Sequence, residues 1–262
     1  MAYWRQSSGG RLTFVVFALA ATMVSGARAD EADAKRLMKA MSDYMVQQTN
    51  VSFSFDSSLE IVTKDHQKLM LASSGSVNLS RPDKIRATRD GGFANVEMMF
   101  DGKTLTVVNK DANEYAQADV PGTIDHLIDE LRDRFHKPVS GADLLLSNLF
   151  DQLMRDVTDV KDLGSGVIGG TECDHFAFRD QDVDWQIWIA QGDRPYPCRY
   201  VITSKQVDQA PQYSVQVRDW KTGKEVATTN YEYANTTNAR KVEPPQLGDI
   251  DELPIGFRGA AQ

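Results

Sequence analysis

Only two cysteines and four histidines occur among 262 residues, too few for a disulfide-rich scaffold and sparse for a metal centre. His66, His126, His136 and His175 fall in four different expected elements without ligand spacing. Cys173 and His175 alternate on one strand, but thiolate and imidazole make only half a zinc site. A nucleophile elbow, a phosphate-binding glycine loop, a dinucleotide fingerprint and a zinc-protease pair are all missing. No acid, base and nucleophile come together, so the sequence points away from an enzyme, and no metal or cofactor is expected. Basic residues are outnumbered: 29 Lys and Arg face 37 Asp and Glu, for a formal net charge of −8. That balance argues against nucleic acid held through its phosphates.

The apolar run from Leu12 to Val24 is short of the roughly 20 residues that cross a bilayer as a helix. Arg5 and Arg11 lie before or at its start, and Ala27-Arg28-Ala29 offers small residues at the positions a signal peptidase reads. Residues 1–29 are therefore expected to be a secretory signal peptide, with the mature chain beginning at Asp30 in the periplasm. A lipidated protein would need Cys as its first mature residue, and the cysteines here are Cys173 and Cys198. In an exported chain two cysteines are more often joined than free, so a Cys173–Cys198 disulfide is expected. Its loop of about 25 residues would contribute roughly 3 kcal/mol if unstrained. The bridge requires the Cys198 loop to curl inward, because the two residues flank a strand and stand about two strand spacings apart.

Hydrophobic spacing sets the element order. Leu37, Met38, Met41, Tyr44 and Met45 recur at helical intervals, then Val51, Phe53, Phe55, Leu59 and Ile61 take up the alternation of a strand with one dry face. Further strands are expected at 67–79, 84–89, 94–100, 104–108 and 114–118, separated by turn residues such as Asp90-Gly91-Gly92 and Asp101-Gly102. Helical spacing returns after Pro121-Gly122 with Ile124, Leu127, Ile128, Leu131 and Phe135, followed by shorter helical pieces near 143–146 and 150–157. A second strand set is expected at 167–168, 173–179, 185–190, 199–205, 213–220 and 226–233, with Lys221-Thr222-Gly223-Lys224 as the last hairpin turn. Residues 30–238 then form one domain, and 239–262, with three prolines and no period, an extended tail over the surface. About eleven antiparallel strands could close into a sandwich or curl into one bent sheet plugged by helices; the helical insertion favours the bent sheet.

Polar clusters are weak. Asp180, Asp182 and Asp184 alternate like the start of a calcium loop, but Trp185 stands where the loop needs Gly and Gln191 where it needs Glu, so a solvated acidic turn is the better reading. Arg81, Lys84, Arg86 and Arg89 read as a mixed polar face beside Asp83 and Asp90. Three methionines along the first helix suit either an adaptable greasy ligand or simple gap filling.

Several ordered segments carry a resemblance: Arg81-Pro82-Asp83-Lys84-Ile85-Arg86, Phe100-Asp101-Gly102-Lys103-Thr104-Leu105, Asn113-Glu114-Tyr115-Ala116, Asp143-Leu144-Leu145-Leu146, Cys173-Asp174-His175-Phe176-Ala177-Phe178 and Asp184-Trp185-Gln186-Ile187-Trp188-Ile189. From the first helix to Trp220 the chain resembles the predicted periplasmic protein family called domain of unknown function 2092. More distantly it is similar to the LolA/LolB-like lipoprotein-carrier superfamily, with Arg81 and Arg86 at the matching basic motif. That resemblance implies a mainly β fold with some α: a strongly curved antiparallel half-barrel whose concave face is covered by helices over a hydrophobic cavity. The implied role is a non-enzymatic binder of an acyl chain, lipid or lipoprotein, or alternatively a sensor or scaffold contacting a membrane-anchored protein. By strand phase the expected wall is Phe53, Phe55, Leu69, Leu71, Val77, Trp185, Ile187 and Ile189, under a lid bearing Ile124, Leu127, Ile128 and Leu131. A lid packed straight onto the wall would give the same periodicity without a cavity.

Overall fold

A computed structural model describes residues 31–137 and 139–247. Residues 1–30 and 248–262, which include the expected signal segment (1–29) and the end of the expected tail, lie outside the described residues. One helix opens the fold, α1 (Glu31–Gln47), burying Ala34, Met38, Met41 and Met45 along one stripe, with Glu31 and Asp33 in its first turn where the helix dipole favours negative charge. Six strands follow: β1 (Asn50–Val62), β2 (Lys68–Ser80), β3 (Lys84–Gly91), β4 (Asn95–Phe100), β5 (Thr104–Asn109) and β6 (Glu114–Asp119). The lid helix α2 (Ile124–Asp133) starts at Thr123, whose side chain accepts a hydrogen bond from the His126 N–H at 3.3 Å. A 3-10 turn (Ala142–Leu145) and α3 (Leu149–Met154) lead into β7 (Asp159–Ile168), β8 (Thr171–Arg179), β9 (Val183–Ala190), β10 (Pro197–Ser204) and β11 (Gln212–Thr222). A two-residue strand, β12 (Arg240–Lys241), comes last.

Among the described residues, twelve strands form one curved open sheet in the order β12-β6-β5-β4-β3-β2-β1-β11-β10-β9-β8-β7. Neighbours are antiparallel except β12 with β6. Pairing β1 with β11 joins the two strand sets into a single concave surface, and each half of that surface has its own roof. Beneath α1 and α3 lie Phe176, Phe178, Trp185, Ile187 and Ile189; beneath α2 lie Val51, Leu79, Ile85, Phe100 and Leu105. Phe55 and Trp220 pack against both clusters and form the seam between them. Trp220 stacks on Phe53 at 5.5 Å and on Tyr196 at 5.0 Å, and its indole N–H donates to the Tyr44 hydroxyl of α1 at 3.3 Å.

Three sequence expectations need correction. Residues 226–233 are not a strand. Both edges of β11 are already taken by β1 and β10, so no hairpin partner can be added. Thr222 and Glu225 instead form a capping box over a single 3-10 turn, and the chain then crosses to the far side of the sheet. There the Arg86 guanidinium donates to the Asn230 carbonyl at 3.0 Å and Tyr233 lies against Tyr115. Secondly, the expected strand at 167–168 is the end of the ten-residue β7, whose alternation is hidden by a bulge between Asp162 and Ser165.

Thirdly, Cys173 and Cys198 are free thiols, not a disulfide. They sit on β8 and β10 with β9 between them, and two strand spacings of about 4.8 Å exceed the Cα separation a bridge tolerates. Both are sealed in a small cluster with Ala190, Ile168, Trp188 and Tyr196. Burial raises both thiol pKa values, Cys198 the more strongly and with Cys173 adding to it.

Candidate functional site

The concave face between the two roofs is not filled. A hollow of about 470 Å³ lies against β1–β5 and β11 on one side and α2 with residues 136–137, 139–142 and 144–145 on the other, within the roughly 300–1,000 Å³ range of small-molecule sites. Cross-strand rows explain its shape. The innermost, Val51–Leu79–Ile85–Phe100–Leu105, is buried throughout beneath α2. The next, Phe53–Val77–Ala87–Met98–Val107, forms the floor. A third row, Val217–Phe55–Gly75–Arg89–Val96, borders the open end. Strand alternation puts every member of these rows on the same side of the sheet, so the surface grades from sealed and apolar to partly exposed and cationic.

From α2, Ile124, Leu127, Ile128 and Leu131 all face the hollow, joined by Leu144 and Leu145 of the 3-10 turn and by Met45 at the end of α1. His136, Val139 and Ser140 are its exposed wall residues, Val139 at 50%, and they mark the mouth. The lid segment is held to the sheet by a sealed polar contact: the Tyr200 hydroxyl of β10 donates to Asp143 Oδ2 at 3.1 Å. The other carboxylate oxygen, Oδ1, is shut off from water without a hydrogen-bond partner. Burial raises the Asp143 pKa, opposed by the Tyr200 and backbone hydrogen bonds, and raises that of Tyr200 further still.

The structure gathers Phe53, Phe55, Val77 and the four α2 residues around one space. It puts the remaining expected wall residues elsewhere. Trp185, Ile187 and Ile189 are sealed under α1, since strand phase fixes the face of the sheet but not which roof covers it. Leu69 and Leu71 share the phase of Val77 but lie beyond a polar rung where Ser57 and Ser73 hydrogen-bond at 2.8 Å. Leu71 walls a separate small recess beside Phe93. Arg89, expected on a mixed polar face, lines the hollow instead; Ile85, Ala87 and Arg89 share one phase, and that parity is the signal in the sequence that places it there.

Arg81, Arg86, Asp180, Asp182, Asp184 and His175 are not among the residues lining the hollow. Arg86 pairs with Glu97, its Nε donating at 2.7 Å. Arg81 is half-buried and its Nε lacks a partner; burial lowers its pKa, with Asp125 acting against the shift. Asp180 caps its own turn by accepting the N–H groups of Asp182 and Val183, each at 2.7 Å. Asp184 bridges to Arg179 and Lys205, so these carboxylates do not converge. His175 stacks on Trp188 at 3.9 Å and contacts Gln186 at 3.0 Å. Among the described residues, no group of three or more His, Cys, Asp or Glu could hold a metal ion.

Several solved structures are similar to this chain. An uncharacterized conserved protein from Thermus thermophilus matches with a TM-score of 0.46 and 10% identity, over 80% of this chain and 98% of that one. The Mycobacterium tuberculosis lipoprotein LppX matches with a TM-score of 0.44 and 13% identity, over 78% and 100% of the two chains. A LolA superfamily protein from Nitrosomonas europaea matches with a TM-score of 0.34 and 11% identity, over 72% and 93%. No curated protein matches. The sequence profile of the family described as Predicted periplasmic protein (DUF2092) matches residues 34–243, and the chain belongs to that family.

Proposed function

We propose that this periplasmic protein is a non-enzymatic carrier or binder of a hydrophobic ligand, an acyl chain of a lipid or lipoprotein, held between the curved sheet and α2. The observation that supports it is the hollow itself: aliphatic and aromatic walls around about 470 Å³ where two roofed half-cores leave space between them. Burying a methylene contributes about 0.8 kcal/mol, so a chain of about ten would gain roughly 8 kcal/mol before the cost of ordering it. The flexible Met45 and Met98 side chains in the wall can adapt to chains of different shape. The test is native mass spectrometry of protein purified from its own periplasm. Co-purifying lipid is expected; a clean apo mass, with no uptake of a fluorescent fatty acid, would overturn the reading.

One observation favours a second reading, a sensor or scaffold contacting a membrane-anchored protein. Strand β7 ends the sheet, with no strand paired to its outer edge among the described residues, and it exposes Leu163 at 48% and Val167 at 66%. An open edge with apolar side chains can accept a strand from a partner. Replacing Val167 by Lys would abolish such an association while leaving lipid uptake unchanged, whereas loss of lipid uptake with the partner retained would reject this reading.

A further inference from the structure

The chain wraps around the β6 edge of the sheet. After crossing the far side, where Tyr233 lies against Tyr115, it pairs with β6 as β12, and the Val242 N–H donates to the Tyr115 carbonyl at 2.9 Å. A 3-10 turn at Pro244–Gln246 then leads to Leu247, which is buried with Val242 and Ala116 in a small cluster on which Val107 packs. Ala116 and Val107 are cross-strand partners, so they share one face of the sheet, and Val107 is the last floor residue of the hollow. The described chain therefore stops on the concave side, beside the floor.

The sequence beyond Leu247 suits that address. Within residues 248–262, Leu253, Ile255 and Phe257 stand at alternate positions, a short apolar run in an otherwise aperiodic tail. An extended chain advances about 3.3 Å per residue, so the stretch from Leu247 to Leu253 can reach about 20 Å. The floor from Val107 on β5 to Phe53 on β1 crosses strand spacings of about 4.8 Å, a width of about 19 Å. Reach thus covers the whole floor. Alternate residues of an extended segment point the same way, which would present the three large side chains together to an apolar wall. We propose that residues 248–262 compete with an acyl chain for the hollow: Leu253, Ile255 and Phe257 enter past Val107 and withdraw when the chain takes their place. This rests on the reading that the hollow takes a hydrophobic chain, and adds how access to it is controlled. Burial of three apolar side chains favours entry, and the tether holds the segment at an effective concentration on the order of millimolar. Short apolar molecules with less surface to bury are thereby turned away.

The test uses the delipidated full chain with laurate as the probe. The double variant Ile255→Asp with Phe257→Asp should bind laurate at least about tenfold tighter than the parent in calorimetric titrations. A photo-crosslinking residue, p-benzoylphenylalanine, introduced at position 257 should couple to hollow residues such as Val107 and Met98, located by peptide mass spectrometry, and excess laurate should suppress that coupling. Equal laurate affinity in variant and parent overturns the competition and leaves the hydrophobic site standing. Tighter binding by the variant without any crosslink inside the hollow also overturns it, because the segment would then act from elsewhere. If neither protein binds laurate, the hydrophobic-ligand reading falls, and the competition built on it falls too; crosslinks to Val107 would then assign the segment to the core as a permanent filling.

Discussion

Phe55 on β1 and Gly75 on β2 are cross-strand partners in which the aromatic ring occupies the space that a side chain on β2 would need. A Cβ built at Gly75 would stand 2.6 Å from the Phe55 ring and would collide with the Thr88 carbonyl of β3. The ring lies over a bare backbone between two hollow-lining residues, Arg89 and Val217. Gly75→Ala should therefore force β2 and β3 apart and destabilise the fold by about 1–3 kcal/mol. Urea unfolding would measure it. The double variant with Phe55→Ala should recover only part of the loss, because the carbonyl clash remains; an unchanged midpoint for Gly75→Ala would refute the close approach.

Asp143 makes stability depend on pH in a direction that can be worked out. Its folded pKa is raised above the ordinary 3.8 by burial, so its contribution is fully present below that value and is lost as pH rises through the folded pKa. The native state becomes progressively penalised over that window, and above it the penalty stays constant. Asp143→Asn keeps an acceptor for Tyr200 and carries no charge, so its stability relative to the parent should rise with pH from about 4 upward. Denaturant titrations at several pH values would show a widening gap; a constant gap would contradict the shift.

The two thiols should be silent in the folded protein and present in the unfolded one. Burial of both residues and raised pKa values suppress the reactive thiolate. Alkylation without reductant should label neither cysteine at a useful rate under native conditions and both after denaturation. Mass spectrometry would count the labels, and zero labels after denaturation would mean a bridge.

Ala87 lies in the middle of the floor row and faces the hollow. Ala87→Phe should fill part of the space, lowering affinity for a chain-bearing probe by at least about tenfold while maintaining or slightly raising thermal stability, as cavity-filling changes do. A loss of both together would point to a floor already fully packed.

Much of this arrangement is legible from spacing. Alternation of Val51, Phe53 and Phe55, and the three-and-four recurrence of Ile124, Leu127, Ile128 and Leu131, identify the dry faces because each period matches one backbone geometry. Which dry face meets which roof depends on contacts distant in sequence. Trp185 and Phe53 have equivalent patterns, but one is sealed under α1 and the other floors the hollow. Residues 226–233 alternate like a strand and fail to become one because β11 has no vacant edge, a fact of topology that local spacing does not contain. Arg89 is obscured by its neighbours: a basic residue among Lys84 and Arg86 reads as solvent-facing until its parity with Ile85 and Ala87 is given more weight than its charge.

The shared seam at Phe55 and Trp220 couples two bodies of packing that would otherwise be independent. Loosening either one frees rings on which the other leans, so heat should dissolve the α1 half and the α2 half in a single cooperative step. The hollow can then persist at the junction without dividing the molecule into separately melting pieces.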